Sequence, residues 1–250
     1  MRRYGLFLIF LAFLSYGDLE EGCDSEGSDD GLFGGCQGSN SVSPPAIDPR
    51  CKGKEDDLEK VDAGCKDLQG ADLSGADLSV RDLSGAKLYG ANLDGTNLDG
   101  ANLEGVDSGN IQGTPILPAG WMLVKGYLIG PGAILFEAAL ANADLSGANP
   151  QGADLRWANL SGADLSGADL TGVDLSYAEL GGADLTDAEL TDATLHYVHS
   201  GEIVGTPILP ADWMLVQGYL IGPGAYLREA LLSNADLGGA NLEHAFLFWA

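Results

Sequence analysis

From residue 68 onward, leucine recurs every five residues: Leu68, Leu73, Leu78, Leu83, Leu88, Leu93, Leu98 and Leu103 follow one another without a gap. Ala stands two residues before most of them (Ala71, Ala76, Ala86, Ala91, Ala101), with Asp or Asn between and a polar residue and Gly after. The unit Ala-Asp/Asn-Leu-Ser/x-Gly resumes at Ala133 and runs to Tyr197, then again from Ala225 to Trp249. Weaker in-phase copies occupy 56–60 and 61–65. A period of five fits neither a helix, at about 3.6, nor a long strand, at about 2. It fits a very short strand closed by a corner. Ala and Leu lie two apart and point to one side of the strand, the intervening Asp or Asn to the other. Gly supplies the backbone angles of the corner. Each unit is then one side of a polygon, with Leu filling the interior and successive turns stacked about 4.8 Å apart.

Runs such as ADLSGADLSG and ANLSGADLSGADLTG resemble the pentapeptide-repeat family. That resemblance covers about half of the chain, in three blocks. It implies an all-β fold, a right-handed quadrilateral parallel β-helix with four of these units to a coil. Six to seven coils are expected on that count. Pro150 takes a central Leu position and removes a backbone donor, so the lattice is expected to weaken there.

A 20-residue coil stacks residues 20 apart on the outside. Asp144, Asp164 and Asp184 then form one acidic column, and Asp154 and Asp174 another pair. The first block is mixed: Asp72 over Asn92, Asp77 over Asn97, Asp82 over Asn102, Asp67 over Lys87. Two exposed charges about 5 Å apart repel by under ~1 kcal/mol, which a lattice tolerates. Trp157, Tyr177 and Tyr197 are also 20 apart, at the corner position where Gly is usual, and predict an external aromatic column.

The lattice breaks twice, near 106–132 and 198–224. Residues 106–145 and 198–237 agree at 31 of 40 positions, sharing GTPILPA, WMLV and YLIGPGA. The interval from Leu103 to Leu135 equals that from Leu195 to Leu227, and neither is a multiple of five. Each insert therefore leaves the lattice and rejoins it. WMLV-KG-YLIG reads as a β-hairpin with a two-residue turn. So apolar a hairpin is not stable alone. Trp213 and Tyr219 of the second one are expected to seat on the coil beside Trp157, Tyr177 and Tyr197, or else to meet a partner.

Arg2 and Arg3 precede the apolar run Leu6–Leu14, and small residues follow. This reads as a signal peptide over 1–17, too short to span a membrane. Residues 18–65 form an acidic Gly- and Cys-rich segment, and 66–250 the solenoid with its inserts. All four cysteines, Cys23, Cys36, Cys51 and Cys65, lie before the main lattice. In an exported segment they predict two disulfides, with three connectivities open. Cys23 follows Leu19-Glu20-Glu21-Gly22, unlike a lipidated cysteine, and the spacings lack the CxxC pairs of a zinc site.

The formal net charge is -25, which excludes a nucleic-acid binder working through phosphate contacts. No catalytic arrangement stands out, and no enzyme activity, cofactor or metal is expected. His196 and His199, with Glu202 nearby, read as a surface turn. The function expected is an exported bacterial scaffold, periplasmic, cell-surface or secreted, that presents an acidic β-solenoid surface to a protein or surface partner. Residues offered for that partner are Trp157, Tyr177, Tyr197, Trp213, Tyr219, Phe246 and Trp249. The resemblance implies an alternative, a DNA-mimic inhibitor of a type II topoisomerase, and admits a homodimer through the C-terminal end. The aromatic and acidic columns raise a third reading, weak glycan or cation binding.

Overall fold

The computed structural model describes residues 57–62 and 64–248. Every described residue belongs to a single compact unit within Pro45–Ala250. The expected signal segment, Cys23, Cys36, Cys51 and Trp249 lie outside the described residues.

The described chain is a β-helix built almost wholly from single parallel bridges. Asp67, Asp72, Asp77 and Asp82 bridge Lys87, Asn92, Asn97 and Asn102, so four bridges at five-residue steps complete each 20-residue repeat. The hydrogen bonds show how one unit works. The Leu73 N–H donates to the Asn92 carbonyl at 2.9 Å, and the Asn92 N–H donates to the Ala71 carbonyl at 2.8 Å. The Ala76 N–H donates back to the Leu73 carbonyl at 3.1 Å and closes the corner, with Gly75 at φ +67°. A positive φ at the third turn residue alone marks a type II turn, which is why Gly dominates there. Every central leucine from Leu68 to Leu195 is at most 3% exposed.

The ladder runs through more levels than six to seven coils. Asp67, Lys87, Asp107, Ile134, Asp154, Asp174 and Thr194 mark seven successive levels, and the neighbouring column from His199 through Tyr226 to Phe246 carries it two further. The smaller count left out the two interruptions, and each of these completes a coil. Asp107 bridges Ile134 and His199 bridges Tyr226, a step longer than the regular one and equal in the two cases. Three bridge positions of each such coil stay in the ladder, at Asp107, Gln112 and Ile116 and at His199, Val204 and Ile208. A hairpin stands where the fourth would fall.

In the first hairpin β1 (Met122–Val124) pairs antiparallel with β2 (Tyr127–Ile129); in the second β3 (Met214–Val216) pairs with β4 (Tyr219–Ile221). Their turns, Lys125-Gly126 and Gln217-Gly218, have positive φ at both residues, as a type I′ turn requires. Leu128, Ile129, Leu220 and Ile221 are at most 1% exposed. The hairpins are therefore docked on the lattice. The Leu128 and Leu220 N–H groups donate to Ser108 Oγ and Ser200 Oγ, both at 2.9 Å.

At Pro150 one rung is missing. Leu145 and Leu155 donate to the carbonyls of Asp164 and Asp174, and Pro150 has no N–H for Asp169. The corner survives, with the Ala153 N–H on the Pro150 carbonyl at 2.9 Å. Residues 57–62 form a helix, α1 (Asp57–Asp62), and not a lattice unit. The stretch lacks a corner Gly, and Lys60 pairs with Asp57 at 2.9 Å along the helix. Asp57 accepts the Asp72 N–H at 2.9 Å and Val61 is buried in the core, so α1 covers the first coil edge.

Candidate functional site

The outward Asp and Asn side chains do more than face water. Most reach forward to the N–H two residues on, an Asx turn that pins the corner. Asp144 Oδ1 accepts the Ser146 N–H at 3.1 Å and the Ser146 hydroxyl at 2.7 Å; Asp184 does the same with Thr186 at 2.9 and 2.6 Å. The sequence showed that these residues point outward. The alternation of Asp or Asn with Ser or Thr two positions on was the available signal for the cap.

These bonds set an acid limit. Hydroxyl donation, then backbone N–H donation, holds the carboxyls of Asp144 and Asp184 below the ordinary 3.8. A lowered folded pKa contributes stability that is complete above the unfolded value and lost as pH falls through the folded one. Melting temperature is therefore expected to hold down to about pH 4 and to fall below it. Asp144→Asn keeps the acceptor and is expected to be neutral at pH 7 while flattening that acid loss. A melting series from pH 7 to pH 2 checks both.

The expected columns are present. Asp144 bridges Asp164, Asp164 bridges Asp184, and Asp154 bridges Asp174. Arg156 breaks the last pair's charge, donating to Asp154 at 2.8 and 2.7 Å and lying 3.8 Å from Asp174. The same guanidinium sits 5.6 Å from the Phe136 ring centroid.

Trp157, Tyr177 and Tyr197 form the aromatic column. Trp157 and Tyr177 stack at 4.4 Å with planes 2° apart, and Tyr177 and Tyr197 at 4.9 Å and 16°. All three have φ near +60°, a conformation that disfavours bulky residues. Stacking offsets that strain. Because the faces meet one another, the column presents mainly ring edges to solvent, and Trp157 is the most exposed of the three rings. A sugar platform needs open ring faces, so the column is a ridge. Tyr177→Gly restores the lattice corner and removes two stacks, each worth about 0.5–1.5 kcal/mol, against roughly 1 kcal/mol of strain relieved. A loss of under about 2 kcal/mol in chemical denaturation is expected, with an altered near-UV dichroism.

The second hairpin seats elsewhere than on this ridge. Gly201 leaves the room that the Tyr219 ring takes, and the Tyr219 hydroxyl accepts the Leu231 N–H at 3.2 Å. Trp213 packs over Gly222, where a Cβ would overlap its ring. Both aromatic side chains are half-buried. The ridge instead meets Phe246, whose ring lies 5.6 Å from Tyr197 at 59°. Phe246 also approaches Tyr226 at 6.1 Å, and Tyr226 stacks on His199 at 4.1 Å and 9°. Burial, opposed by Glu179, lowers the His199 pKa. His196 and His199 fall on a corner and on the next face, and the described residues hold no group of three metal-ligating side chains.

A family model for pentapeptide repeats matches in 8 copies, over residues 67–105, 133–172, 168–198 and 223–247. No curated protein matches the chain. Among solved structures it is similar to HetL of the cyanobacterium Nostoc sp. strain PCC 7120, a pentapeptide-repeat protein involved in heterocyst differentiation regulation. Identity is 30%, coverage 77% of this chain and 92% of that one, and the TM-score 0.22. It is similar to a pentapeptide-repeat protein of the Arabidopsis thaliana thylakoid lumen at 24% identity, covering 56% and 71%, with TM-score 0.25. It is also similar to QnrB1, a plasmid-mediated fluoroquinolone resistance protein, at 16% identity, covering 72% and 83%, with TM-score 0.26. With its repeats matched over more than half its length and each coil laddered onto the next, this chain belongs to the pentapeptide-repeat family, whose fold is a right-handed β-helix.

Proposed function

We propose that the chain is a non-enzymatic exported interaction scaffold, a four-sided β-helix into which two hairpins are inserted. Four bridge columns to each coil support the four sides. The lengthened steps from Asp107 to Ile134 and from His199 to Tyr226 support insertion. The observation that carries the interaction reading is the segregation of surface chemistry. One corner holds the ridge Trp157–Tyr177–Tyr197, while Asp144, Asp164 and Asp184 on one column and Asp169 and Glu189 on the next flank another corner. In a four-sided section those two corners are diagonally opposite. Trp and Tyr are the residue types that anchor protein interfaces, and a solenoid offers them an extended face.

Export rests on the segment Arg2–Leu14. Cys65, buried and disulfide-bonded, supports an oxidising compartment. A homodimer through the C-terminal end draws support from Leu247, an interior-type leucine 45% exposed. Fractionation with N-terminal sequencing of the mature protein tests the reading. Full-length protein in the cytosol with Met1–Leu14 intact would sink it. That outcome would favour the second reading, a DNA-mimic topoisomerase inhibitor, which the acidic columns support and a supercoiling assay tests.

A further inference from the structure

The interior of the described β-helix is not continuous. Its buried side chains fall into three clusters, Val61 to Leu128, Ile129 to Leu220, and Ile221 to Ala230. The breaks fall inside β2, between Leu128 and Ile129, and inside β4, between Leu220 and Ile221. The pleat of each hairpin is the reason. Leu123 stands opposite Leu128, and both join the first cluster; Met122 opposite Ile129 and Val124 opposite Tyr127 join the second. In the second hairpin Leu215 and Leu220 join the second cluster, and Met214, Val216, Tyr219 and Ile221 the third. Successive residues of a strand point to opposite faces, so each hairpin lies as a floor between two cores. Trp121 touches the cores on both sides of the first floor, and Trp213 those on both sides of the second.

The backbone ladder divides at the same two places. Between regular coils all four sides are bonded: the Leu135, Leu140 and Leu145 N–H groups donate to the Asp154, Asn159 and Asp164 carbonyls, each at 2.8 Å, and the Asp169 N–H to the Ala148 carbonyl at 2.9 Å. Across the first floor, the coil-to-coil bonds among the described residues are Gly105 N–H to the Gly132 carbonyl at 3.0 Å and Ile134 N–H to the Val106 carbonyl at 2.9 Å. Across the second they are Tyr197 N–H to the Gly224 carbonyl at 2.8 Å and Tyr226 N–H to the Val198 carbonyl at 3.4 Å. Each pair belongs to one side of the coil, that of Asp107 and Ile134 or that of His199 and Tyr226. Elsewhere the coils meet through the hairpin. The Ile111 N–H donates to the Gly126 carbonyl at 3.0 Å from one coil, and the Ala139 N–H to the Tyr127 hydroxyl at 3.2 Å from the next. Ile203 on Gly218 and Leu231 on Tyr219 repeat the arrangement.

We infer that the described β-helix is three cooperative blocks that open separately, with the two hairpins as the joints between them. In a repeat array stability is a sum of repeat and interface terms, so a weak interface bounds an opening unit. The second block carries the whole aromatic ridge and the column of Asp144, Asp164 and Asp184, so that surface stays assembled when a neighbouring block opens. The third block has the weakest interior, with Leu232, Leu237 and Leu242 only partly buried. It opens first, and in doing so uncovers the Met214, Val216 and Tyr219 face of the second hairpin.

Native-state hydrogen exchange of the full chain in increasing urea, read by peptide mass spectrometry, tests this. Three levels of protection are expected. The Leu73, Leu83 and Leu98 amides share one, Leu145, Leu165 and Leu180 another, and Leu227 and Phe246 the lowest, with steps at the two hairpins. Leu98→Ala, at a fully buried site of the first block, should lower protection at Leu73 and Leu83 about thirtyfold or more and at Leu145 and Leu165 less than about twofold. Leu165→Ala should do the reverse. The wild-type profile decides by itself if either variant fails to fold. Protection that falls smoothly coil by coil, one opening shared by all three stretches, or a Leu98→Ala loss that spreads equally past the first hairpin overturns the inference.

Discussion

Leu160→Asp is expected to destroy the cooperative melting of the coils around it. Leu160 is 0% exposed, within a continuous core cluster, chiefly leucine and alanine, that runs through Ala133 to Leu195. A carboxylate there has no water and no partner, and the side chain is too short to reach the surface across the wall. The expected loss exceeds about 4 kcal/mol, the range reserved for an unpaired buried charge. Far-UV dichroism on heating and hydrogen exchange of the Leu145, Leu165 and Leu180 amides would report it. Leu160→Met conserves volume and is expected to cost under about 1.5 kcal/mol. A Leu160→Asp protein that melts like wild type would mean that the central leucine does not face inward.

Gly205→Ala is expected to have the second-largest effect, and the reason is backbone contact. The lattice skips a residue beside each hairpin, where Asn97 bridges Ile116 and Glu189 bridges Ile208, each one position short of the regular step. The shortened side brings Gly113 onto Asp94 and Gly205 onto Thr186, so that a Cβ at either would overlap the Cα of the coil before. A side chain can rotate away from such a clash and a backbone cannot; the coils must part. A cost of about 3 kcal/mol or more is expected. Gly172→Ala is the control. It shares a positive φ, at +66°, but nothing lies within 4 Å of its Cβ, so only strain of about 1 kcal/mol is expected. Equal losses in the two variants, measured by urea denaturation, would show that φ alone makes Gly205 necessary.

The repeat was legible because its cause is local. An Ala and a Leu two apart, with a Gly to turn the chain, can satisfy their backbone only by pairing with a copy of themselves. The buried leucines, the acidic column of Asp144, Asp164 and Asp184, and the aromatic column all follow from that period. The weak copies at 56–65 misled for the same reason. The first keeps Leu58 in phase but has Lys60 at the corner, and the second carries its Gly64 one place early, so Asp57–Asp62 forms helix α1 instead of a lattice side.

The seat of the hairpins was not legible. It depends on which outer positions stand beside them, and those are set by the extra length of each interrupted coil. Duplication of the insert carries that length into both copies, and a lattice of fours then puts the hairpins on neighbouring columns. The first follows Asp82 and Asn102, the second follows Asp174 and Thr194. The same shift places Gly224 in line with Tyr197 and brings the Phe246 ring beside it.

The amino-acid sequence alone determined the repeat, the inward leucines, the outward acids and the vertical register of every residue one regular coil from its like, because each is a property of one five-residue unit and its copy. Only the tertiary structure decided how many levels the interruptions complete, where Trp213 and Tyr219 are buried, and which ring lies beside Tyr197. Those depend on contacts between segments whose spacing is not a multiple of the repeat, and a local period carries no information about them.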